Sequence, residues 1–354
     1  MAAVGINGFG RIGRMCLRVC LEKGIKVKLI NDPFISTEYM IYLFKFDSTH
    51  GPYPQPLELA EENIVINNEI RIATKHIKHP NKIPWKDMEV TYVIETTGVF
   101  TDIQEASRHI DGGAKKVIIT APGNVPMLVF GVNHTCYNPE KDKVVSATSS
   151  TTNCTAPIVK LMHENFEVLE VAVTTIHAAT AKGNVVDGPT CGKKFTTLWR
   201  NYRGCSQNII PAMCSANISL DKIIPELKCK FSSIQFRVPI SNVSLCDMTF
   251  RVNTSVGYLD VKKVMREASE NRMKDVLGYS EEDCVSSDFN HTTYSCIFDA
   301  KASFKHDNSF IKIIAWYDNE YGFASRIVDL LQYMYNADSG NVPVTAETIE
   351  HGDD

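Results

Sequence analysis

Two stretches of this chain place chemically capable residues at spacings that chemistry uses. The first is Gly8-Phe-Gly10-Arg-Ile-Gly13, a G-x-G-x-x-G run. It follows a short β-branched stretch, opens a helical pattern and lies upstream of a second apolar stretch ending in Asn31-Asp32. That context is the dinucleotide fingerprint. Gly8 permits the tight turn, Gly10 lets the backbone approach a pyrophosphate, and Gly13 lets helix pack on strand. Asp32 can accept hydrogen bonds from both ribose hydroxyls, and its charge repels a 2′-phosphate, so NAD is expected rather than NADP. The competing reading is a glycine-rich turn with no ligand. Strand, spacing and acid together favour the nucleotide.

The second stretch is VSATSSTTNCTAP, residues 145–157. Ser149, Ser150, Thr151, Thr152 and Asn153 precede an apolar periodic run of Ile158, Leu161, Met162 and Phe166. On spacing alone these are helix-capping residues. The alternative is that residue 150 sits where a helix dipole stabilises a thiolate or a bound oxyanion. His177 ends the run TTIH, with Thr174, Thr175 and Thr180 around it. It is either a structural histidine or a base at a strand end. Arg237 lies within the apolar strand SIQFRVP. A buried arginine needs an anionic partner, which is either an internal carboxylate or a ligand.

The elements that must carry these residues alternate in the first part of the chain. Ala3–Asn7, Val27–Ile30, Val90–Glu95 and Lys116–Thr120 read as strands. Arg11–Lys23 reads as a helix with Cys16, Leu17, Val19 and Cys20 facing inward. Such alternation predicts a parallel sheet with helices on its faces. Beyond Pro157 the pattern changes. Val168–His177 and Phe236–Val252 are β-branched and alternating, as in a partly antiparallel sheet. The Gly/Lys/Arg-rich stretch Lys182–Gly204 reads as a long loop, and loops of that length are usually functional. Val261–Arg272 and Gly322–Tyr335 read as helices, and Phe310–Trp316 as a strand. Residues 337–354 carry Pro, Gly, Asp and Glu and are expected to be a disordered acidic tail.

The whole chain has 354 residues, 44% hydrophobic and 22% charged, enough for two domains. A net charge of -4 offers no basic field for nucleic acid or anionic membrane. No apolar run approaches the roughly 18 to 20 residues of a membrane span. The N-terminus enters the glycine motif directly, so no signal peptide is expected. Eleven cysteines without a paired framework suggest reduced thiols and a cytoplasmic setting. No metal site is expected.

The ordered blocks INGFGRIGR, NDPF, FDSTHG, TTGVF, GGAKKVIITAP, GVNH, QNIIPA, FRVP, SSDF and WYDNEYG run from about Val4 to Tyr335. Together they resemble the glyceraldehyde-3-phosphate dehydrogenase family. The resemblance implies an α/β Rossmann NAD-binding domain over 1–149, with a returning C-terminal helix at about 318–336. It implies an α+β catalytic domain over 150–317, with a large mixed or antiparallel sheet. It further implies a cytoplasmic homotetramer, or a mixed tetramer with a homologue. The implied reaction is oxidation of glyceraldehyde 3-phosphate, with NAD and inorganic phosphate, to 1,3-bisphosphoglycerate. By resemblance Arg11, Ile12, Asp32 and Asn319 contact NAD, and Lys78 and Thr120 stand where the family carries Arg and Ser at the cofactor. His177 matches the general base. Thr180 and Arg237 match groups that hold the substrate phosphate, and Ser149, Thr151, Cys214 and Ser215 fall at the substrate and phosphate positions.

The departures are as informative. Ser150 occupies the position of the family's nucleophilic cysteine, and Cys154 matches its second, non-nucleophilic cysteine. Ala212-Met213-Cys214-Ser215 replaces Ala-Ser-Thr-Gly at the inorganic-phosphate site, which loses a glycine. Lys182-Gly183 replaces Thr-Gln, Phe323 replaces a tyrosine, and the stretch Cys191–Thr197 is longer than usual. A serine hydroxyl is far harder to ionise than a thiol, and its acyl product is an ester rather than a thioester. Weak catalysis, or an NAD-binding homologue acting as a subunit or scaffold, is therefore expected. A serine esterase built on Ser150 and His177 is a further possibility.

Overall fold

The computed structural model describes residues 2–180, 183–188, 199–214 and 216–342. The chain divides into two compact units, one of residues 1–149 and 324–354 and the other of residues 150–323.

The first unit is built on β1 (Ala3–Asn7), β2 (Lys26–Asn31), β3 (Leu57–Ala60), β4 (Asn63–Ile66), β5 (Ile70–Lys75), β6 (Tyr92–Glu95), β7 (Lys116–Ile119) and β8 (Val144–Ser146). They form one sheet in the order β3-β4-β5-β2-β1-β6-β7-β8. From β5 to β8 every pairing is parallel, and β3 and β4 add an antiparallel edge. Val93 with Ile94, and Val117 with Ile118, are buried on both faces of the sheet. Helices on each side explain such continuous apolar runs. α1 (Arg11–Glu22) buries Cys16, Leu17, Val19 and Cys20, the inward face expected from sequence. Short helices α2 (Thr37–Lys45), α3 (Ile103–Ala106) and α4 (Arg108–Asp111) complete the connections before β8.

The second unit opens with α5 (Ser150–Phe166) and continues through β9 (Val168–Ala178), β10 (Ile210–Ala212), α6 (Ala216–Ile223), β11 (Phe231–Val238), β12 (Ser244–Val252), α7 (Tyr258–Glu270), β13 (Leu277–Ser280), β14 (Cys296–Lys305) and β15 (Phe310–Tyr317). The sheet order is β10-β11-β9-β12-β15-β14-β13. β9 pairs parallel with β11 and antiparallel with β12. Burial alternates along β9 and β12, as expected where a sheet has one packed face. α5 packs against β9, β12, β14 and β15. The broad β region expected over Phe236–Val252 is thus two strands with a turn at 239–243.

The last helix, α8 (Tyr321–Asp338), is longer than the sequence pattern suggested. The expected tail boundary at 337 is corrected here. Ala337 is buried, and Asp338 accepts hydrogen bonds from the Tyr137 hydroxyl at 2.8 Å and from the Tyr92 hydroxyl. A carboxylate with two phenol partners is anchored, whatever its local composition suggests. Residues 343–354 of the expected tail lie outside the described residues.

Candidate functional site

In the first unit, β1 delivers the chain into a turn at Gly8 and then directly into α1. Gly8 has φ +92°, a region that favours glycine, and its N–H donates to the Asn31 carbonyl at 2.8 Å. A Cβ on Gly13 would fall 2.2 Å from the Gly8 carbonyl oxygen, so helix and turn touch backbone to backbone. A Cβ on Gly10 would meet nothing within 4 Å. Gly10 is exposed and caps α1 without a side-chain hydrogen bond. A helix start with open space before it and no capping side chain is an anion cradle. Asp32 follows β2 and is half-buried; one carboxylate oxygen accepts from the Phe9 N–H at 2.9 Å and the other from the Phe34 N–H at 3.0 Å. This ties the acid to the turn while leaving carboxylate lone pairs for a ribose. These residues fit a dinucleotide.

The remaining cofactor candidates are spread more widely. Arg11 and Ile12 are half-buried in the first turn of α1, and Lys78 is exposed after β5. Thr120 follows β7 and donates to the Glu95 carbonyl at 3.1 Å. Asn319 is buried in the second unit, where its side-chain oxygen accepts from the Ser244 hydroxyl at 3.1 Å.

In the second unit, Ser150 is the first residue of the 17-residue helix α5 and is half-buried, as is Ser149 before it. Thr148 has φ 63° and is fully buried. A β-branched residue there is strained, and such strain gathers at functional sites. Thr151 is buried, and its hydroxyl lies 2.8 Å from the Tyr317 hydroxyl. Thr151 is expected from sequence at the substrate and phosphate positions; this contact ties the start of α5 to β15 and leaves the hydroxyl further hydrogen-bonding capacity.

His177 is buried near the end of β9. The two-residue period places it on the face shared by Val171, Val173 and Thr175, all buried. Its Nδ1 lies 2.7 Å from the Ala178 carbonyl oxygen, which can only accept. Nδ1 therefore carries the proton, and Nε2 is the atom able to take one. The Tyr317 ring stands edge-on to the imidazole at 6.2 Å.

Arg237 is the direct register partner of His177 across β11 and β9. Paired residues in adjacent strands project to the same face, so guanidinium and imidazole rise from one side of the sheet. Arg237 donates to the Asn201 side-chain oxygen at 3.3 Å, and its Nε is buried without a hydrogen-bond partner among the described residues. Burial lowers its pKa, with the Cys205 thiol opposing, and no ion pair compensates it among the described residues. The Thr180 hydroxyl is likewise buried without a partner. A desolvated cation and an orphaned hydroxyl, three residues past the histidine, are the fittings of an anion site. Asn201 was not found from sequence, because it belongs to the long loop and nothing in its spacing marks it.

Cys154 is fully buried, and burial followed by its hydrogen bond to Cys246 pushes its thiol well above the ordinary range. It cannot stand in as the nucleophile on α5. Cys214 is half-buried, while Ser215, Lys182 and Cys191–Thr197 lie outside the described residues. No cluster of three or more His, Cys, Asp or Glu side chains is placed to hold a metal among the described residues, and no described helix is long and apolar enough to cross a membrane.

Two family models match the chain. Residues 2–103 match the NAD binding domain of glyceraldehyde 3-phosphate dehydrogenase, and residues 149–319 match its C-terminal domain. Among curated relatives, glyceraldehyde-3-phosphate dehydrogenase of Glossina morsitans morsitans is 48% identical over 340 residues, covering 96% of this chain and 100% of the relative. Glyceraldehyde-3-phosphate dehydrogenase 2 of Danio rerio is 47% identical over 334 residues, 94% of this chain and 98% of that one. The testis-specific form of Mus musculus is 48% identical over 94% of this chain and 74% of its own length.

Proposed function

Because the chain belongs to the glyceraldehyde-3-phosphate dehydrogenase family of NAD-dependent oxidoreductases, we propose that it binds NAD at the Gly8–Gly13 turn and captures glyceraldehyde 3-phosphate at Ser150, with chemistry slowed by that serine. Bound NAD supplies the hydride acceptor. Gly10 and the start of α1 hold its pyrophosphate, Asp32 its ribose, and Arg11, Ile12, Lys78, Thr120 and Asn319 make the remaining contacts. Arg237 and Thr180 hold the substrate phosphate. Ser149, Thr151, Cys214 and Ser215 are the candidates for the second phosphate.

His177 Nε2 takes the proton from the Ser150 hydroxyl as its oxygen attacks the aldehyde carbon. The N–H groups at the start of α5 stabilise the oxyanion. Oxidation at that carbon leaves an ester on Ser150, and inorganic phosphate must then displace the serine oxygen. Both halves suffer from the exchange of sulfur for oxygen. The observations that support the substrate assignment most are the desolvated Arg237, register partner of His177, and the Thr180 hydroxyl, which finds no partner among the described residues. The test is NADH absorbance with glyceraldehyde 3-phosphate, NAD and phosphate. Turnover at a rate ordinary for the family would overturn the impairment.

A second reading, a non-catalytic NAD-binding subunit or scaffold, is favoured by the inert state of Cys154, which leaves α5 without a replacement thiol. It predicts NAD binding with no turnover even at high enzyme concentration. For assembly we propose a homotetramer or a mixed tetramer. Val185, Val186, Trp199, Ile209 and Met213, all 69% exposed or more, support a contact surface on the second unit. Light scattering of the purified chain, alone and co-expressed with an active relative, separates the two. A cytoplasmic setting is supported by ten free cysteines among the described residues.

A further inference from the structure

Beneath the glycine turn runs a buried polar chain that the proposed chemistry does not use. The Ile77 N–H donates to the Asn31 side-chain oxygen at 2.9 Å, Asn31 Nδ2 donates to the Asn7 side-chain oxygen at 2.8 Å, and Asn7 Nδ2 donates to Glu95 Oε2 at 2.6 Å. From the other side, the Trp85 indole N–H donates to His109 Nδ1 at 3.1 Å, and His109 Nε2 donates to the same Glu95 oxygen at 2.9 Å. An amide N–H and an indole N–H can only donate, so the direction of every bond is fixed from its end. Both lines of donors converge on one carboxylate. Glu95, His109, Asn7 and Asn31 are at most 2% exposed.

The other oxygen of Glu95 faces the ligand side. It accepts from the Thr97 N–H at 2.7 Å and from the Thr97 hydroxyl. Thr96, between them, donates its hydroxyl to the Gly8 carbonyl at 2.8 Å. A Cβ on Gly8 would lie 2.8 Å from that hydroxyl and 3.0 Å from Thr97. The Thr96–Thr97 segment is therefore pressed against the turn. Asn7, Asn31 and Glu95 end β1, β2 and β6, the carboxyl ends where an open sheet of this order binds its ligand.

We propose that Glu95 is a positioning residue for NAD: it fixes Thr96–Thr97, and through them the Gly8 turn, in the shape that receives the pyrophosphate. This inference rests on NAD binding at that turn. An uncharged amide cannot replace the carboxylate. An NH2 group at the Oε2 position meets two donors, Asn7 Nδ2 and His109 Nε2, with no acceptor; at the Oε1 position it loses the bond from the Thr97 N–H and finds only the Thr97 hydroxyl to accept from it.

The test is Glu95→Gln in the full chain, with NAD and AMP affinities measured by calorimetry and the unfolding midpoint measured without ligand. Glu95→Gln should weaken NAD tenfold or more and AMP less than threefold, even though the unsatisfied donor it buries also lowers the unliganded midpoint. AMP carries one phosphate and makes less use of the turn. Unchanged NAD affinity overturns the proposal. So does a parallel loss of both ligands, which is what general loosening gives. Should Glu95→Gln fail to fold, Thr97→Val decides. It removes one bond to the carboxylate at a half-buried position and should weaken NAD several-fold; no change would overturn the proposal. If the unaltered chain binds no NAD, the functional reading itself falls and this inference with it.

Discussion

The glycine turn of the first unit and the start of α5 in the second are both helix N-termini prepared for an anion, yet they are furnished in opposite ways. Around the turn, Asp32, Thr96 and Asn31 have partners, and the open volume lies at Gly10. In the second unit, Arg237 Nε and the Thr180 hydroxyl are buried without partners among the described residues. A site that reads shape can be completed by backbone and its own side chains. A site that holds a charged substrate keeps unsatisfied groups, which its ligand completes. The difference also predicts tolerance. On the function proposed above, binding at the turn depends on space and survives drift elsewhere, whereas catalysis at α5 depends on one atom, the Ser150 oxygen.

The largest expected effect breaks or confirms that last clause. Ser150→Cys should raise phosphorylating dehydrogenase turnover by about 10³-fold or more, about 4 kcal/mol of barrier. The check is NADH absorbance. No gain would move the fault to Cys214 and Ser215. Next comes the turn. Gly13→Ala should destabilise the chain by about 3 kcal/mol, since its methyl would overlap the Gly8 carbonyl, seen as a lowered denaturation midpoint. Gly10→Ala, with open space for its methyl, should leave the midpoint in place and weaken NAD instead.

Acid should weaken the first unit. His134, in the first, accepts from the Gly131 N–H through Nδ1 and lies against Phe130 and Tyr333, and burial lowers its pKa from 6.5 to about 4. The folded state thus resists the proton that the unfolded state takes. The contribution is whole above pH 6.5 and is lost as pH falls towards 4, at most about 3 kcal/mol. Unfolding midpoints across that range should fall, and less steeply in His134→Phe.

A smaller effect sharpens the substrate side. Arg237→Met should raise the KM for glyceraldehyde 3-phosphate about 30-fold, about 2 kcal/mol, without lowering the unfolding midpoint. A fall in the midpoint would make the guanidinium structural. Smallest is a labelling difference. Exposed Cys136 and Cys229 should alkylate in the native state, and Cys154 only after unfolding, as read by peptide mass spectrometry. Native labelling of Cys154 would reopen the question of a thiol nucleophile.

Much of this was legible beforehand. The β1–turn–α1 unit and Asp32 are local, since glycine spacing, helix start and acid lie within one short segment. The alternation of β9 exposed its face, and with it the side on which His177 stands. Arg237 was recognised as needing an anion, but whether a carboxylate supplied it depended on strands far apart in sequence. Asn201 carries no local mark, and the block WYDNEYG that holds Tyr317 does not show that its hydroxyl meets Thr151. The hairpin edge of β3 and β4 was missed because its strands are only four residues each, with little pattern to read. Ala337 and Asp338 were read as tail, because composition cannot see that Tyr92 and Tyr137 wait for the carboxylate.

The sequence by itself determined the fold, the cofactor class and the family, and it carries the proposal that Ser150 stands at the nucleophile position. These follow from residue type, short-range spacing and resemblance. Only the tertiary structure decided which polar groups are satisfied. It left the Arg237 Nε and the Thr180 hydroxyl without partners among the described residues and sealed Cys154 away, and it aimed two lines of donors at Glu95. Hydrogen-bond satisfaction and desolvation depend on neighbours brought from distant parts of the chain, so no local window of sequence contains them.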